Sequence, residues 1–196
     1  MASVVDTEAG RDFGLARGKV FPAEHAQSLL NPARRLLQSP RRMVAAMGLT
    51  DTDRVLEVGS GPGYFSPLIA AAVPNGRLVL VDLQAGMLQA AQPRLTRFAN
   101  VTFAQSDAGA LGIATAQFDA VLLATMLGEV PDPDGCIEEI RRVLRPGGVV
   151  AIAETRRDSD FIALRTLRAV VERHGFSFLD RRGVAWQYVA RFRSSP

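Results

Sequence analysis

The sequence predicts an α/β fold in which helices cover both faces of a mostly parallel sheet. After Asp51, short apolar runs alternate with segments of helical periodicity, and this alternation is typical of βαβ units. The runs are rich in Val, Leu and Ala, as expected for buried strands. The predicted strands cover residues 54–58, 77–82, 101–105, 118–124 and 148–154. The helices predicted between them cover 63–73, 84–98 and 133–144.

Capping and breaking residues support two of these helices. Asp132 is suited to cap the helix at 133–144, Pro133 fits its first turn, and Pro146-Gly147-Gly148 is expected to end it. Pro93 predicts a kink or a break in the helix at 84–98, because proline removes a helical hydrogen bond.

The C-terminal part departs from the alternation. A helix is predicted at about 159–174, and two strand-like runs joined around Arg182-Gly183 follow it. Two strands in such close succession predict an antiparallel hairpin at the edge of an otherwise parallel sheet.

The region before the alternation is predicted to be a separate unit. We expect residues 1–50 to form a leader and a helical lid, and 51–196 to form the main domain. The segment 31–49 is basic and amphipathic, and Pro40 is expected to split it into two short helices. The apolar side chains predicted to face a substrate pocket are Leu29, Leu30, Leu36 and Leu37, with Arg34 and Arg35 near the rim.

Composition limits the class of protein. The 196 residues, 47% hydrophobic and 22% charged, suit one globular domain. One cysteine, Cys136, cannot form an intrachain disulfide, which predicts a cytoplasmic location. The longest uncharged stretch, 58–76, is interrupted by glycines and prolines, so no transmembrane segment is predicted. A net charge of +3 permits an acidic partner without requiring one.

Three closely spaced glycines follow the first predicted strand and indicate a ligand site. Glycines at 59, 61 and 63 allow a tight turn and a close approach of ligand to backbone. The GxGxxG spacing of a dinucleotide site would need a glycine where Tyr64 stands, so a bound pyrophosphate is disfavoured. Glu57, two residues before the first glycine, suits a ligand with an amino group.

Two further acidic residues lie at the ends of the next strands. Asp82 ends the second predicted strand, where a carboxylate can accept hydrogen bonds from both hydroxyls of a ribose. Asp107 follows the third strand and could accept a hydrogen bond from an adenine amino group. Together with Glu57, they would surround a cationic nucleoside at the edge of the sheet.

These motifs carry a family resemblance. The stretches "VLEVGSGPG", "LVLVDL", "QSDA", "FDAVLLATMLGEVPD" and "RRVLRPGGVVAIAE" resemble the successive motifs of class I S-adenosylmethionine-dependent methyltransferases, over roughly residues 50–192. The chain most resembles the small-molecule (type 11) branch, which includes the ubiquinone and menaquinone C-methyltransferases. The resemblance implies a Rossmann-like, doubly wound, seven-stranded sheet with one antiparallel strand in a C-terminal hairpin.

The resemblance also implies S-adenosylmethionine as the cofactor and assigns its contacts. The backbone from Gly59 to Gly63 would meet the methionine part, Asp82 the ribose, and Asp107 the surroundings of the adenine. The cofactor-binding residues predicted on these grounds are Glu57, Gly59, Ser60, Gly61, Gly63, Asp82, Leu83, Asp107 and Ala108. No metal site is predicted.

Methyl transfer from a sulfonium is an in-line displacement for which positioning supplies most of the acceleration. An acceptor that must lose a proton would need a base, for which Glu129 and His25 are the predicted candidates, with Asp132 and Glu154 as further carboxylates. Some relatives have a histidine beside the acidic residue after the fourth strand, whereas this chain has Gly128 before Glu129.

The predicted function is therefore methyl transfer to a small, partly apolar acceptor. The alternatives are an RNA or protein methyltransferase and a non-catalytic protein that binds S-adenosylmethionine. Nucleic acid is disfavoured because aromatic residues are not interleaved with the arginines. A nicotinamide oxidoreductase is disfavoured by Tyr64 and by the hairpin. Whether the protein forms a homodimer stays open.

Overall fold

A computed structural model describes residues 21–31, 39–156 and 158–195. These residues form a seven-stranded sheet flanked by helices. The strands are β1 Arg54–Val58, β2 Arg77–Asp82, β3 Val101–Gln105, β4 Phe118–Ala124, β5 Leu144–Thr155, β6 Phe176–Val184 and β7 Gln187–Ser194. The α-helices are α1 Pro40–Met47, α2 Ser66–Ala72, α3 Ala85–Leu95, α4 Pro133–Val143 and α5 Leu164–Arg173. Two 3₁₀ helices cover Ala23–Leu30 and Leu127–Glu129.

The strand order confirms the predicted fold class. It is β3-β2-β1-β4-β5-β7-β6, with β1 to β5 paired in parallel and β7 antiparallel to both β5 and β6. The bounds predicted for the first four strands, 54–58, 77–82, 101–105 and 118–124, are those of β1 to β4. Because the chain crosses from β3 to β4 past β1, the carboxyl ends of β1 and β4 flank a switch point, where open α/β sheets bind ligands.

Both faces of the central strands are buried, as the doubly wound prediction requires. Successive β1 residues belong to opposite cores: Val55 packs in the core beside α1, α2 and α3, and Leu56 in the core beside α4 and α5. Ile69 and Ile137 are fully buried on the two sides, and each such side chain contributes about 1.5–3 kcal/mol.

The fifth strand begins earlier than predicted. It starts at Leu144, which pairs with Phe118, rather than at residue 148. The register shifts before the next pair, Ala120 with Val149, so the Pro-Gly-Gly segment forms an irregularity within β5. Gly147 has a φ of 77°, a value that favours glycine.

The hairpin turn was predicted too early in the sequence. Gly183 pairs with Tyr188 and Val184 with Gln187, so residues 185–186 form the turn and Arg182-Gly183 lies within β6. A Cβ on Gly183 would lie 2.5 Å from the Gln187 carbonyl oxygen. The glycine therefore permits close strand pairing and does not mark the turn.

Three helix predictions need correction at their ends. The first, 63–73, is shorter because α2 begins only at Ser66. The second, α3, continues through Pro93 and ends at Leu95. The third, α5, begins at Leu164 rather than 159, because the backbone at Ala163 is extended, with a ψ of 143°. The predicted cap of α4 is confirmed, with the carboxylate of Asp132 accepting from Gly135 N at 3.1 Å.

The helical region before residue 51 has two described parts. Pro40 begins α1 as predicted, and the buried side chains of Met43 and Met47 join the core beside α2. The 3₁₀ helix Ala23–Leu30 lies elsewhere, over the carboxyl ends of the strands. The helix predicted before Pro40 falls on 32–38, and therefore Arg34, Arg35, Leu36 and Leu37 lie outside the described residues.

Candidate functional site

A cavity of about 900 Å³ opens at the carboxyl ends of the parallel strands. Its walls come from the loops that follow β1 to β5 and from the N-terminal segment 21–31. The cavity therefore lies at the switch point where the topology predicts a ligand site.

The glycine loop after β1 forms one wall. Gly59, Gly61 and Gly63 have φ values of 65°, 53° and 74°, so all three use a conformation that other residues rarely adopt. Gly59 and Gly61 line the cavity. Gly63 lies outside the lining, where an added Cβ would be 3.1 Å from Ala91 Cβ of α3, so this glycine serves helix packing.

Ser60 supplies an unsatisfied polar group to the same wall. The residue is 6% exposed, it lines the cavity, and its Oγ has no hydrogen-bond partner among the described residues. A buried hydroxyl without a partner costs roughly 1–3 kcal/mol. A ligand with a complementary polar group would remove that cost, which fits a polar cofactor at this position.

Asp82 connects the ends of β1 and β2. Its carboxylate accepts from Gly61 N at 2.8 Å and from Gln84 N at 2.9 Å. Burial raises the pKa of this carboxyl above its ordinary value. Because a carboxylate offers about four acceptor positions, two remain for a pair of ligand hydroxyls.

Glu57 lies beneath the glycine loop and outside the cavity lining. Its carboxylate is 2% exposed and accepts a hydrogen bond from Ser66 Oγ at 2.6 Å. Burial raises the pKa of Glu57 to about 8. The predicted contact with a ligand amino group stays a prediction, and the structure shows a support for the start of α2.

Glu154 has a similar environment at the end of β5. It is 1% exposed, lies outside the lining, and has one carboxylate oxygen without a partner among the described residues. Burial, with a contribution from nearby Asp158 and Asp160, raises the pKa of Glu154 to about 8.

These two buried carboxyls predict a stability that falls as pH rises. Their folded-state pKa values of about 8 exceed the ordinary value of 4.5, so the folded protein retains protons that the unfolded chain releases between these values. The free energy of unfolding should therefore decrease from about pH 4.5 to about pH 8. Glu154→Gln should flatten the decrease in melting temperature across this range, whereas Glu24→Gln, at an exposed position, should not. A parallel decrease in the Glu154→Gln variant and the parent would contradict this assignment.

The residues predicted to border an adenine lie together on the cavity wall. Leu83, Asp107 and Ala108 all line the cavity, on the loops after β2 and β3. Leu83 is 47% exposed, so an apolar surface is available to a flat ring. One carboxylate oxygen of Asp107 accepts from Gly109 N at 2.8 Å, which fixes its side chain.

The opposite end of the cavity is acidic. Glu129, on the 3₁₀ helix Leu127–Glu129, lines it together with Asp158 and Asp160 from the loop after β5. Burial raises the pKa of Glu129 to about 7, with the neighbouring carboxylates contributing. Sequence reasoning missed Asp158 and Asp160, although the acidic "DSD" directly after the fifth strand was a usable signal.

The other sequence-predicted residues occupy different places. Tyr64 lines the cavity and contacts Phe65 edge to face, with the ring centroids 4.8 Å apart. His25 is exposed and outside the lining, with its ring edge-on to Phe21. Asp132, the α4 cap, is also outside the lining.

The segment 21–31 covers the glycine loop. Leu29 lines the cavity, and its Cδ1 lies 3.8 Å from the position of a Cβ on Gly61. Leu30, also predicted to face the pocket, instead packs against the core beside α2.

Comparisons with known proteins agree with this geometry. The family described as a methyltransferase domain, Methyltransf_31, matches residues 49–175. The ubiquinone/menaquinone biosynthesis C-methyltransferase UbiE of Xanthomonas campestris pv. campestris is 31% identical over 147 residues, covering 73% of this chain and 56% of that relative. UbiE of Hahella chejuensis is 36% identical over 104 residues, covering 51% of this chain and 42% of its own length. A SAM-dependent methyltransferase from Aquifex aeolicus has the same fold, with a TM-score of 0.81 at 20% identity, and the match covers 89% of this chain and 98% of that one.

The fold and the family match define a methyltransferase domain. The chain belongs to the Methyltransf_31 methyltransferase domain family. It spans about half the length of the curated relatives that it matches. Within the described part of the chain, no helix has both the length and the apolar character needed to cross a membrane.

Proposed function

We propose that this protein transfers a methyl group from S-adenosylmethionine to a small, partly apolar acceptor. The observation that carries the proposal is one continuous cavity, in which most of the predicted cofactor positions and Glu129 lie together beneath the segment 21–31. Bound S-adenosylmethionine supplies an electrophilic methyl group on a sulfonium.

Residues along the cavity wall are assigned to successive parts of the cofactor. The loop at Gly59–Gly61, with the free hydroxyl of Ser60, would hold the methionine part. Asp82 would accept from the ribose hydroxyls, since its carboxylate keeps two acceptor positions. The adenine would be bordered by Leu83, Asp107 and Ala108. This assignment is supported by their position together on one wall of the cavity.

The acidic end of the cavity is proposed to receive the acceptor. Glu129, Asp158 and Asp160 carry carboxylates at this end, and no described lining residue of the cavity is basic. Such a wall favours a neutral or cationic acceptor and disfavours an anionic one. It also argues against RNA as the acceptor, since phosphates would meet carboxylates.

Glu129 is the proposed base where the acceptor must lose a proton. Its pKa of about 7 suits proton transfer near neutral pH, and its carboxylate lies on the cavity wall. The role of His25 as a base stays a prediction, and the structure places this residue outside the cavity lining. The segment 21–31 is proposed to act as the lid that excludes water from the reacting pair. It is a shorter segment than the residues 1–50 in which a lid is expected from the sequence.

The named relatives suggest the first acceptors to test. The Xanthomonas relative is named as a C-methyltransferase of ubiquinone and menaquinone biosynthesis. We therefore propose quinone-precursor rings methylated on carbon as the first acceptor class. A cytoplasmic location remains a prediction, supported by the single free cysteine, Cys136, which is buried. A homodimer also remains a prediction.

Cofactor binding is the direct test of this proposal. S-adenosylmethionine and its demethylated product should each raise the melting temperature by roughly 5–10 °C at about one hundred times their dissociation constants, because both bind the folded state. NAD should give no comparable shift. Calorimetry that detected NAD binding but neither of the other two ligands would overturn the proposal. Turnover against a panel of acceptors then separates an enzyme from a non-catalytic binding protein.

A further inference from the structure

Gln84 makes a two-point contact with the N-terminal segment. Its side-chain oxygen Oε1 accepts from Ala23 N at 3.0 Å, and its Nε2 donates to the Phe21 carbonyl oxygen at 2.7 Å. Both polar atoms of one amide are thus paired with the backbone of the same short stretch. Such pairing fixes the position of the stretch more closely than a single hydrogen bond would.

The backbone of Gln84 is itself held in the candidate site. Its N–H donates to the Asp82 carboxylate at 2.9 Å, and the residue is the N-cap of α3. The side chain makes no capping hydrogen bond to that helix, although the N-cap position would allow one. Gln84 therefore connects the carboxylate assigned to the ribose with the segment that covers the cavity.

A second contact holds the segment on the other side of the cavity. The backbone N–H of Phe21 donates to Glu129 Oε2 at 3.4 Å, a longer contact than the two from Gln84. The stretch Phe21–Ala23 thus bridges the loop after β2 and the loop after β4. From this bridge the 3₁₀ helix runs over the glycine loop, where Leu29 lies opposite Gly61.

We propose that Gln84 is the positioning residue that holds the segment 21–31 closed over the cofactor. The inference rests on the proposed function, since the segment matters only where the cavity binds S-adenosylmethionine. Release of the cofactor then requires the two Gln84 hydrogen bonds to open. Loss of both should shift the balance between closed and open segment roughly tenfold, from the usual net value of such bonds.

Gln84→Ala in the full chain is the principal test. Hydrogen exchange at the Ala23 amide should accelerate, and dissociation of S-adenosylhomocysteine should become roughly tenfold faster, while the free energy of unfolding changes little. Gln89→Ala, at an exposed position on the same helix and outside the lining, is the matched control and should match the parent.

A double-mutant cycle separates closure from a direct cofactor contact, because Gln84 itself lines the cavity. Ala23→Pro removes the N–H that Gln84 accepts, at a residue outside the lining. The substitution suits the backbone, since Pro22 has the extended ψ of 133° and residue 23 begins the 3₁₀ helix. Both single variants should release the ligand faster, and the double variant should be no faster than Gln84→Ala.

Additive effects of the two substitutions would overturn the proposal, as would unchanged exchange of residues 21–31 in Gln84→Ala. If the parent protein bound no S-adenosylhomocysteine, the proposed function would fail, and the exchange measurement would still decide whether Gln84 holds the segment.

Discussion

Asp82→Ala is expected to weaken S-adenosylmethionine binding by roughly 5- to 150-fold, or about 1–3 kcal/mol. The variant would remove the charged acceptor assigned to two ribose hydroxyls. It would also release the Gly61 N–H that Asp82 now accepts at 2.8 Å, and so loosen the glycine loop. Titration calorimetry with S-adenosylmethionine measures the loss directly.

The fold should survive this substitution. Burial raises the pKa of Asp82, because removing the carboxylate from water destabilises its charged form. Asp82→Ala removes this unfavourable desolvation, which offsets part of the stability lost with the hydrogen bonds. Asp82→Asn keeps one acceptor oxygen and the side-chain shape, so it should lose less affinity. Asp51→Ala, at an exposed position outside the cavity, should bind normally. Unchanged affinity in a folded Asp82→Ala protein would remove the ribose assignment.

The sheet could be predicted from the sequence because burial on both faces leaves continuous apolar runs. The strands β1, β2 and β4 are buried along most of their length, so their apolar runs mark their bounds, whereas the edge strand β3 exposes Thr102. The same local signal failed where strand pairing determines the structure. Leu144 extends β5 through its pairing with Phe118, and Gly183 lies within β6 because Tyr188 is opposite it. Neither partner is visible from local sequence.

The site was predictable to the extent that it lies at strand ends. Asp82 was found because it ends the second apolar run, and the structure places it in the cavity. Spacing could not show which residues of the first motif face the cavity, and Glu57 and Gly63 lie behind its wall. Gln84 was missed because its partners, Phe21 and Ala23, are about sixty residues away in the chain, and only the tertiary structure brings them together.

Gly128→Ala is expected to disable the acceptor end of the site without removing the cofactor site. A Cβ on Gly128 would lie 2.3 Å from the carbonyl oxygen of Asp160 and 2.7 Å from its Cβ, so the loop at 158–160 would have to move. That loop places Asp158 and Asp160 in the cavity wall beside Glu129. A displacement of about 1 Å in an active site can lower turnover on the order of 10²-fold.

The expected result is a fall of that order in kcat/KM for the acceptor, with S-adenosylmethionine affinity nearly unchanged, because the three atoms nearest the new Cβ all belong to Asp160. The free energy of unfolding should fall by about 1–3 kcal/mol from the overpacking. Gly112→Ala is the matched control: its φ of 63° strains an alanine, but no described atom lies within 4 Å of the new Cβ and the residue is outside the lining. It should therefore lose some stability and retain turnover. A Gly128→Ala protein with the parent's kcat/KM would show that the loop at 158–160 takes no part in positioning the acceptor, and the acidic end of the cavity would lose its assigned role.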